Sequence, residues 1–382
     1  MKILITGGAG FIGHHTANTL TASGHQVRVL DTFLPQVHPH PKEAIDRLHP
    51  EVEVVKGDVR NPGEVGNALE GMEAVYHFAA ETGVGQSMYE MDRYVDVNVR
   101  GTAVLCQKLA ERGSKVRRLI LASSRAVYGE GRYGCGQCGD VIPPLPRTQK
   151  SLESGEWDLH CPRCGSLLVP RPSIEETPLR PISIYGMTKR AQEDLVEIFS
   201  RTFQIPSVIL RYFNVYGSGQ SLGNPYTGIA ATFYRQMARE ESVDIFEDGA
   251  MLRDFVHIRD VVQANLKALA LQHPDVVTLN IGSGQASSVL RLAELVKKVM
   301  DSRSAIQVSG RYRLGDIRHS WGDISRAEGM IGYLPGVSLS DGLREFIDWA
   351  KDKNLEGAVD PSLRELSDKG LTGIGGGKSG NR

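Results

Sequence analysis

Tyr185 and Lys189 stand four residues apart, a spacing that puts a phenol and an ammonium on one face of a helix. A phenol with a pKa of about 10 is a weak base at neutral pH, so proton abstraction requires a neighbouring cation that lowers it. Many exposed helices carry Tyr-x-x-x-Lys by chance, and the pair takes its meaning from its company. Ser124, in LASSRAVYGEG, ends an apolar run. Its hydroxyl can bond a reacting oxygen at a strand C-terminus, where doubly wound sheets place their sites, or it can simply cap a turn.

Gly7, Gly10 and Gly13 follow the short run KILIT and open a helical segment. Such a turn lets backbone approach a pyrophosphate that rests on a helix N-terminus. Asp31 closes the next apolar run, where a carboxylate accepts the ribose hydroxyls of NAD and repels the extra phosphate of NADP; a solvated strand-end acid is the alternative. Asp58, in GDV, suits an adenine contact or a helix cap before NPGEV.

Cys135-x-x-Cys138 and Cys161-x-x-Cys164, separated by 22 residues, have the spacing of a structural zinc ribbon. Gly139 and Gly165 follow the second cysteine of each pair, permitting the tight turn that points amides at thiolate sulfurs. Four thiolates leave no open position for water, so the metal is expected to support structure and not to act as a Lewis acid. Disulfides are the weaker reading. The fifth cysteine, Cys106, lies in the helical run NVRGTAVLCQKLAER and is expected in the core.

The elements that must hold these groups alternate. Apolar runs at 2–6, 27–31, 52–56, 74–78 and 118–122 are separated by stretches with helical spacing, the pattern of a parallel, doubly wound α/β sheet. A helix from about Ile184 to Phe203 and a strand at 207–213 continue it. The expected division is a Rossmann-type domain over 1–132, 171–213 and 252–275, a zinc-ribbon insertion over 133–170, and a smaller substrate domain over 214–251 and 276–355. The polar, Gly-rich tail, 356–382, is expected to be disordered.

Composition removes other classes. The 382 residues hold 44 Lys and Arg against 45 Asp and Glu, which gives no electrostatic footprint for nucleic acid or an anionic membrane. No apolar run approaches the roughly 20 residues of a membrane span. The opening MKILITGGAGFIG enters a strand at once, leaving no room for a secretory signal, so a cytoplasmic setting with reduced thiols is expected.

TGGAGFIG, Asp31, GDV, the Ala79–Ala80 pair, NVRGT with Asn98, SSRAVYG and YGMTK together resemble the extended short-chain dehydrogenase/reductases, the nucleotide-sugar epimerases and dehydratases, from Met1 to about Lys351. The resemblance implies tightly bound NAD, held by Gly7, Gly10, Phe11, Ile12, Gly13, Asp31, Asp58, Val59, Ala79, Ala80, Asn98, Tyr185, Lys189 and Tyr212. It implies catalysis by Tyr185, Lys189 and Ser124, and a homodimer built on a helix pair that includes the Tyr185 helix. Asn214, in RYFNVYG, is implied as a diphosphate contact and Phe246 as a residue against the nucleotide base, with core packing as its alternative. Arg253 together with Arg313 and Asp316 from RLGD completes the implied substrate set; two guanidiniums from separate loops suit a pyrophosphate.

The dehydratases of this family carry an Asp–Glu pair after the catalytic Ser, where Arg125 and Ala126 stand here, so elimination of water is not expected. What remains is oxidation and reduction at carbon 4 of the sugar, with Tyr185 as base. YGEG, the cysteine pairs, GQSLGNPYTGI and YRLGDIRH resemble a bacterial subgroup that converts dTDP-L-rhamnose to dTDP-6-deoxy-L-talose. UDP-hexose and UDP-uronate 4-epimerases share the same catalytic residues, as does a 4-ketoreductase.

Overall fold

The computed structural model describes residues 1–111, 114–141, 146–224, 228–353 and 362–376. Seven strands form one parallel sheet: β1 (Lys2–Thr6), β2 (Gln26–Asp31), β3 (Glu53–Lys56), β4 (Ala74–His77), β5 (Arg118–Ser124), β6 (Ser207–Tyr212) and β7 (Val277–Ile281). They lie in the order β3-β2-β1-β4-β5-β6-β7. Ile3, Leu4 and Ile5 of β1 are all fully buried, because helices cover both faces of the sheet and every side chain along a central strand meets apolar neighbours. Each such side chain contributes roughly 1.5–3 kcal/mol of burial energy.

The strand order reverses between β1 and β4, which opens a crevice at their C-terminal ends. The backbone there is crowded. A Cβ on Gly7, whose φ is +68°, would lie 2.6 Å from the Ala79 amide nitrogen, and one on Gly13 would lie 2.4 Å from the Gly7 carbonyl. Only glycine lets the β1 turn, the helix Phe11–Ala22 and the end of β4 press together.

The helix Ile184–Phe203 crosses the C-terminal end of β5. Ser183 caps it by accepting from the Gly186 amide, and the Tyr185 amide donates to Ser87 Oγ. Its buried residues, among them Thr188, Lys189, Gln192, Glu193 and Val196, recur every three or four positions and face the sheet. A Cβ on Gly186 would lie 2.6 Å from the Ala126 carbonyl oxygen, so the first turn of this helix rests directly on the 3₁₀ turn Arg125–Tyr128 that follows Ser124.

Two boundaries differ from the sequence reading. The sheet takes in β7, so 277–281 belong with the larger unit; the alternation that marks β1 to β6 is interrupted by the residues after Asn214, and this hides the last strand. The tail is the second difference. Ser362–Asp368 form a helix and Thr372–Ile374 form a strand antiparallel to Arg311–Arg313, with Leu366 only 3% exposed and packed near Gly85. The glycines that read as disorder are what permit close contact, since a Cβ on Gly373 would meet the Tyr312 hydroxyl at 2.4 Å. The rest of the tail expectation, 356–361 and 377–382, lies outside the described residues.

Between β5 and the Tyr185 helix sits a three-stranded unit of Arg132–Cys135, Gly139–Val141 and Val169–Arg171, with Tyr133, Cys135, Val141, Leu159, Cys161 and Leu168 as a small core of its own. The remaining core gathers helices Ile229–Ala238, Val289–Met300 and Leu339–Lys351 around Phe233, Leu292 and Phe346.

Gly186→Ala should push the Tyr185 helix off the Arg125–Tyr128 turn. We expect a loss of about 1–3 kcal/mol in urea denaturation and a fall in turnover of about 100-fold from displacement of Tyr185. Unchanged turnover in a folded variant would show that the contact does not position the phenol.

Candidate active site

A cleft of about 1190 Å³ runs along the crevice. The glycine turn with Phe11 and Ile12, then Asp31, Asp58, Val59, Ala79 and Ala80, line one end, and Ser124, Tyr185, Lys189, Tyr212 and Asn214 line the other. The helix behind Gly10 has no side-chain cap and no acid in its first turn, so its N-terminal amides face the cleft unneutralised. Asp31 accepts from the Ala9 amide at 3.0 Å and the Phe33 amide at 2.9 Å, which orients its carboxylate. This donor set suits a dinucleotide: a helix end for the diphosphate and a fixed acid for the ribose diol.

Asp58 is a partner of Arg60, whose Nε and Nη2 donate to it while Nη1 donates to Asp96. The helix after it is capped by Asn61 and not by Asp58, which removes the capping alternative. Tyr212 lines the cleft and donates from its hydroxyl to Asn265. Asn98 does not line it. Fully buried, it donates to the Glu81 carbonyl and Thr188 Oγ1 and accepts from the Glu81 amide, so it ties the segment after β4 to the Tyr185 helix. The expected cofactor contact is thereby corrected to a support one layer behind.

At the other end, Ser124 Oγ lies within hydrogen-bonding reach of the Tyr185 phenol and accepts from the Ala126 amide at 3.2 Å. Burial raises the Tyr185 pKa, while Ser124 and the Arg125 guanidinium pull it down. Lys189, 3% exposed, donates to the Ala122 carbonyl at 2.9 Å, and burial lowers its pKa to about 7 against the opposing pull of Glu193. Arg125 is thus a second cation beside the phenol, in addition to Lys189, to which the sequence assigns that effect. Arg125 Nε donates to Asn214 Oδ1 at 2.8 Å, and burial draws the guanidinium down to about 9, still charged at neutrality. Its only sequence signal was its place beside Ser124.

Phe246, Arg253, Arg313 and Asp316 do not line the cleft. The Arg313 guanidinium sits 4.7 Å over the Phe246 ring, and its buried Nε makes no hydrogen bond. Arg253 has its fork engaged: Nη1 donates to the carbonyls of Leu252 and Arg318, and Nη2 to that of Ile317. Read as a pyrophosphate donor, it is instead a brace for the 317–318 backbone, because a buried guanidinium must satisfy its donors locally. Arg125 connects the two groups, feeling Arg253, Asp316 and Tyr185 at once.

The sulfurs of Cys135, Cys138, Cys161 and Cys164 all lie within 4.8 Å of one another. Tetrahedral zinc with bonds of about 2.3 Å needs sulfurs about 3.8 Å apart, so the four fit one ion. Gly139 and Gly165 both have positive φ, +80° and +72°, as the tight turns require. Cys106 is buried in the core, and desolvation pushes its thiol up to about 12.

A family model described as the NAD dependent epimerase/dehydratase family matches residues 3–147 and 165–282. The chain belongs to this family. The interval between the matched segments, 148–164, falls inside the cysteine-bearing unit. Among curated proteins, a dTDP-L-rhamnose 4-epimerase of Burkholderia thailandensis is 39% identical over 351 residues, covering 91% of this chain and 94% of the relative. A putative UDP-glucose 4-epimerase of Methanocaldococcus jannaschii is 29% identical, with 92% and 99% covered. Among solved structures, a UDP-glucose 4-epimerase of Thermotoga maritima with UDP-glucose has a TM-score of 0.75 at 29% identity, covering 92% of this chain and 99% of the other. A UDP-glucuronic acid 4-epimerase of Bacillus cereus, in complex with UDP-glucuronic acid and NAD, has a TM-score of 0.75 at 28% identity with the same coverage. No helix among the described residues is long and apolar enough to cross a membrane.

A lysine with a pKa lowered on folding binds fewer protons folded than unfolded between about pH 7 and its unfolded value. Stability therefore rises with pH across that window, and the penalty is fully present below it. In dinucleotide-free protein, Lys189→Met should be more stable than wild type at pH 7, by about 1–3 kcal/mol, and its stability should climb less from pH 7 to 10. Parallel urea-midpoint curves for the two proteins would contradict this.

Proposed function

We propose that this chain is an NAD-dependent nucleotide-sugar 4-epimerase. The observation that carries the reading is the convergence of Ser124, Tyr185 and Lys189 at one end of a cleft whose other end has the glycine turn and an oriented Asp31. Bound NAD would supply the hydride acceptor and donor at carbon 4. Asp31 would hold its ribose hydroxyls, the amides behind Gly10 its diphosphate, and Lys189 the ribose beside the nicotinamide. Tyr185 removes the proton from the sugar 4-hydroxyl and later returns it; Ser124 donates to the same oxygen and keeps it aligned. Arg125 favours the phenolate electrostatically. Arg125 and Ala126 stand where a dehydratase would keep its acids, so no group is placed to expel water.

The 39% identity to a dTDP-L-rhamnose 4-epimerase supports dTDP-L-rhamnose as substrate and dTDP-6-deoxy-L-talose as product. One observation favours a second reading, a UDP-uronate: the terminal nitrogens of Arg125 make no hydrogen bond among the described residues, and a guanidinium lining the sugar end suits a carboxylate. A homodimer through the Tyr185 helix is supported by Met187, Ile198 and Phe203, all exposed on that one helix. We place the protein in the cytoplasm, where the thiols would stay reduced, and the four cysteines then hold a structural zinc ion.

Incubation without added cofactor with dTDP-L-rhamnose, UDP-glucose and UDP-glucuronate, read by NMR, tests the activity. Epimerisation of dTDP-L-rhamnose is expected. Conversion of UDP-glucuronate alone would select the second reading, no conversion would end the proposal, and net consumption of NADH in a parallel incubation to which it is added would indicate a ketoreductase. Tyr185→Phe should lower turnover at least about 100-fold with NAD retained.

For the metal, elemental analysis should give one zinc per chain. Cys161→Ser should lose it and destabilise the 132–171 unit, since so small a core cannot supply its own folding energy. Metal-free protein with wild-type activity and stability would refute the assignment.

A further inference from the structure

The insertion sends one charged side chain, Arg147, into the body of the protein and sets a second, the half-exposed Asp158, against it. Arg147, its side chain 3% exposed, donates from Nη1 to Glu247 at 2.8 Å and from Nη2 to the Asp316 carbonyl at 3.0 Å; its Nε lies 3.4 Å from Glu130. Asp158 accepts from Arg318 Nε at 2.8 Å. Arg318, 2% exposed, completes the group by donating to Glu247 and to both oxygens of Asp248, while its backbone amide donates to Glu130.

Burying this many charges costs free energy, and hydrophobic residues of similar volume would hold the parts together at least as well. A forked guanidinium offers direction instead: it fixes where its partners stand. The partners here lie in two loops. One is Phe246–Gly249, in which Glu247 holds a left-handed φ of +51° secured by a hydrogen bond from its amide to the Arg311 carbonyl. The other is 313–318, which carries Arg313 over Phe246 and then Asp316. The first loop runs between the ladders of Val243–Ile245 and Leu252–Arg253 and the second between those of Arg311–Arg313 and His319–Ser320. Between those ends, Arg147 ties one to the other by bonding Glu247 and the Asp316 carbonyl. Glu130, two residues past the Arg125–Tyr128 turn, joins them to the catalytic side.

We propose that Arg147 is a positioning residue for nucleotide-sugar binding: delivered by the four-cysteine insertion, it holds the Phe246 loop and the Arg313–Asp316 loop in register with each other and with the catalytic turn. The proposal rests on the nucleotide-sugar epimerase reading above and on the expectation from the sequence that Phe246 meets the base and Arg313 and Asp316 the substrate, residues that flank the cleft lining without belonging to it. It gives the insertion a task at substrate affinity and none at the dinucleotide end of the cleft, whose lining does not include Arg147.

The test compares Arg147→Met, the charge-compensated pair R147M/E247Q, and Asp158→Asn, whose side chain is 46% exposed and whose replacement is expected to leave the fold intact. The measurements are kcat and KM with the nucleotide sugar that wild type converts, NAD content of the purified protein, and calorimetric binding of dTDP and UDP. We expect KM and the diphosphate dissociation constants to rise about tenfold or more in the Arg147 variants and less in Asp158→Asn, with NAD content equal to wild type and kcat within about threefold. Folded variants that bind dTDP or UDP as tightly as wild type would overturn the proposal. So would parallel loss of NAD, kcat and affinity, the mark of a merely structural role. If Arg147 variants fail to fold, an unchanged KM in Asp158→Asn overturns it. Wild type that binds dTDP but converts no nucleotide sugar would defeat the functional reading alone and leave the positioning question to the binding data.

Discussion

The contact of Gly186 with the Ala126 carbonyl sets how the two halves of the catalytic end meet. One half is the turn after β5, which presents Ser124 and Arg125; the other is the helix that carries Tyr185 and Lys189. A side chain at 186 would hold them apart by the width of a methyl group, and the phenol and hydroxyl would lose their reach. A comparable constraint operates at the other end of the cleft, where Gly7 and Gly13 let the β1 turn close against Ala79. Both are steric conditions on backbone, and the polar chemistry is arranged on top of them.

Electrostatics inside the molecule follow from how each buried charge is satisfied. Arg211 is paired with Glu193, and Arg147 and Arg318 with Glu247. Arg253 spends its fork on carbonyls, and Asn98 spends its amide on Glu81 and Thr188. Lys189 and Arg125 each have a single neutral hydrogen-bond partner and line the cleft, whereas Arg118, with one such partner of its own, does not. Within the cleft such spare capacity can be met by a ligand, which offsets the cost of burying a charge without a partner.

The four-cysteine unit illustrates how local and long-range information divide. Its spacing and following glycines were legible, and the sulfurs converge as that spacing requires. What it does for the rest of the chain was not legible, since Arg147 and Asp158 look like ordinary polar residues until Arg318, some 160 residues away, arrives beside them. The tail shows the opposite error. Glycines at 373 and 375 match the composition of a flexible end, yet they pack against Tyr312 and the Leu152 carbonyl in places that admit no side chain.

Motif residues whose roles depend on chain neighbours were determined by the sequence alone: the glycine turn, the strand-end acid, the phenol and lysine one helical turn apart, the thiol pairs and the alternating pattern of a parallel sheet. These follow from periodicity and from backbone geometry over a few residues. Which polar groups face the cleft and which brace the wall behind it was decided only by tertiary structure. Asn98 and Arg253 turned inward and Arg125 turned toward Tyr185 because hydrogen-bond satisfaction of a buried group depends on every segment that packs around it, and those segments come from distant parts of the chain.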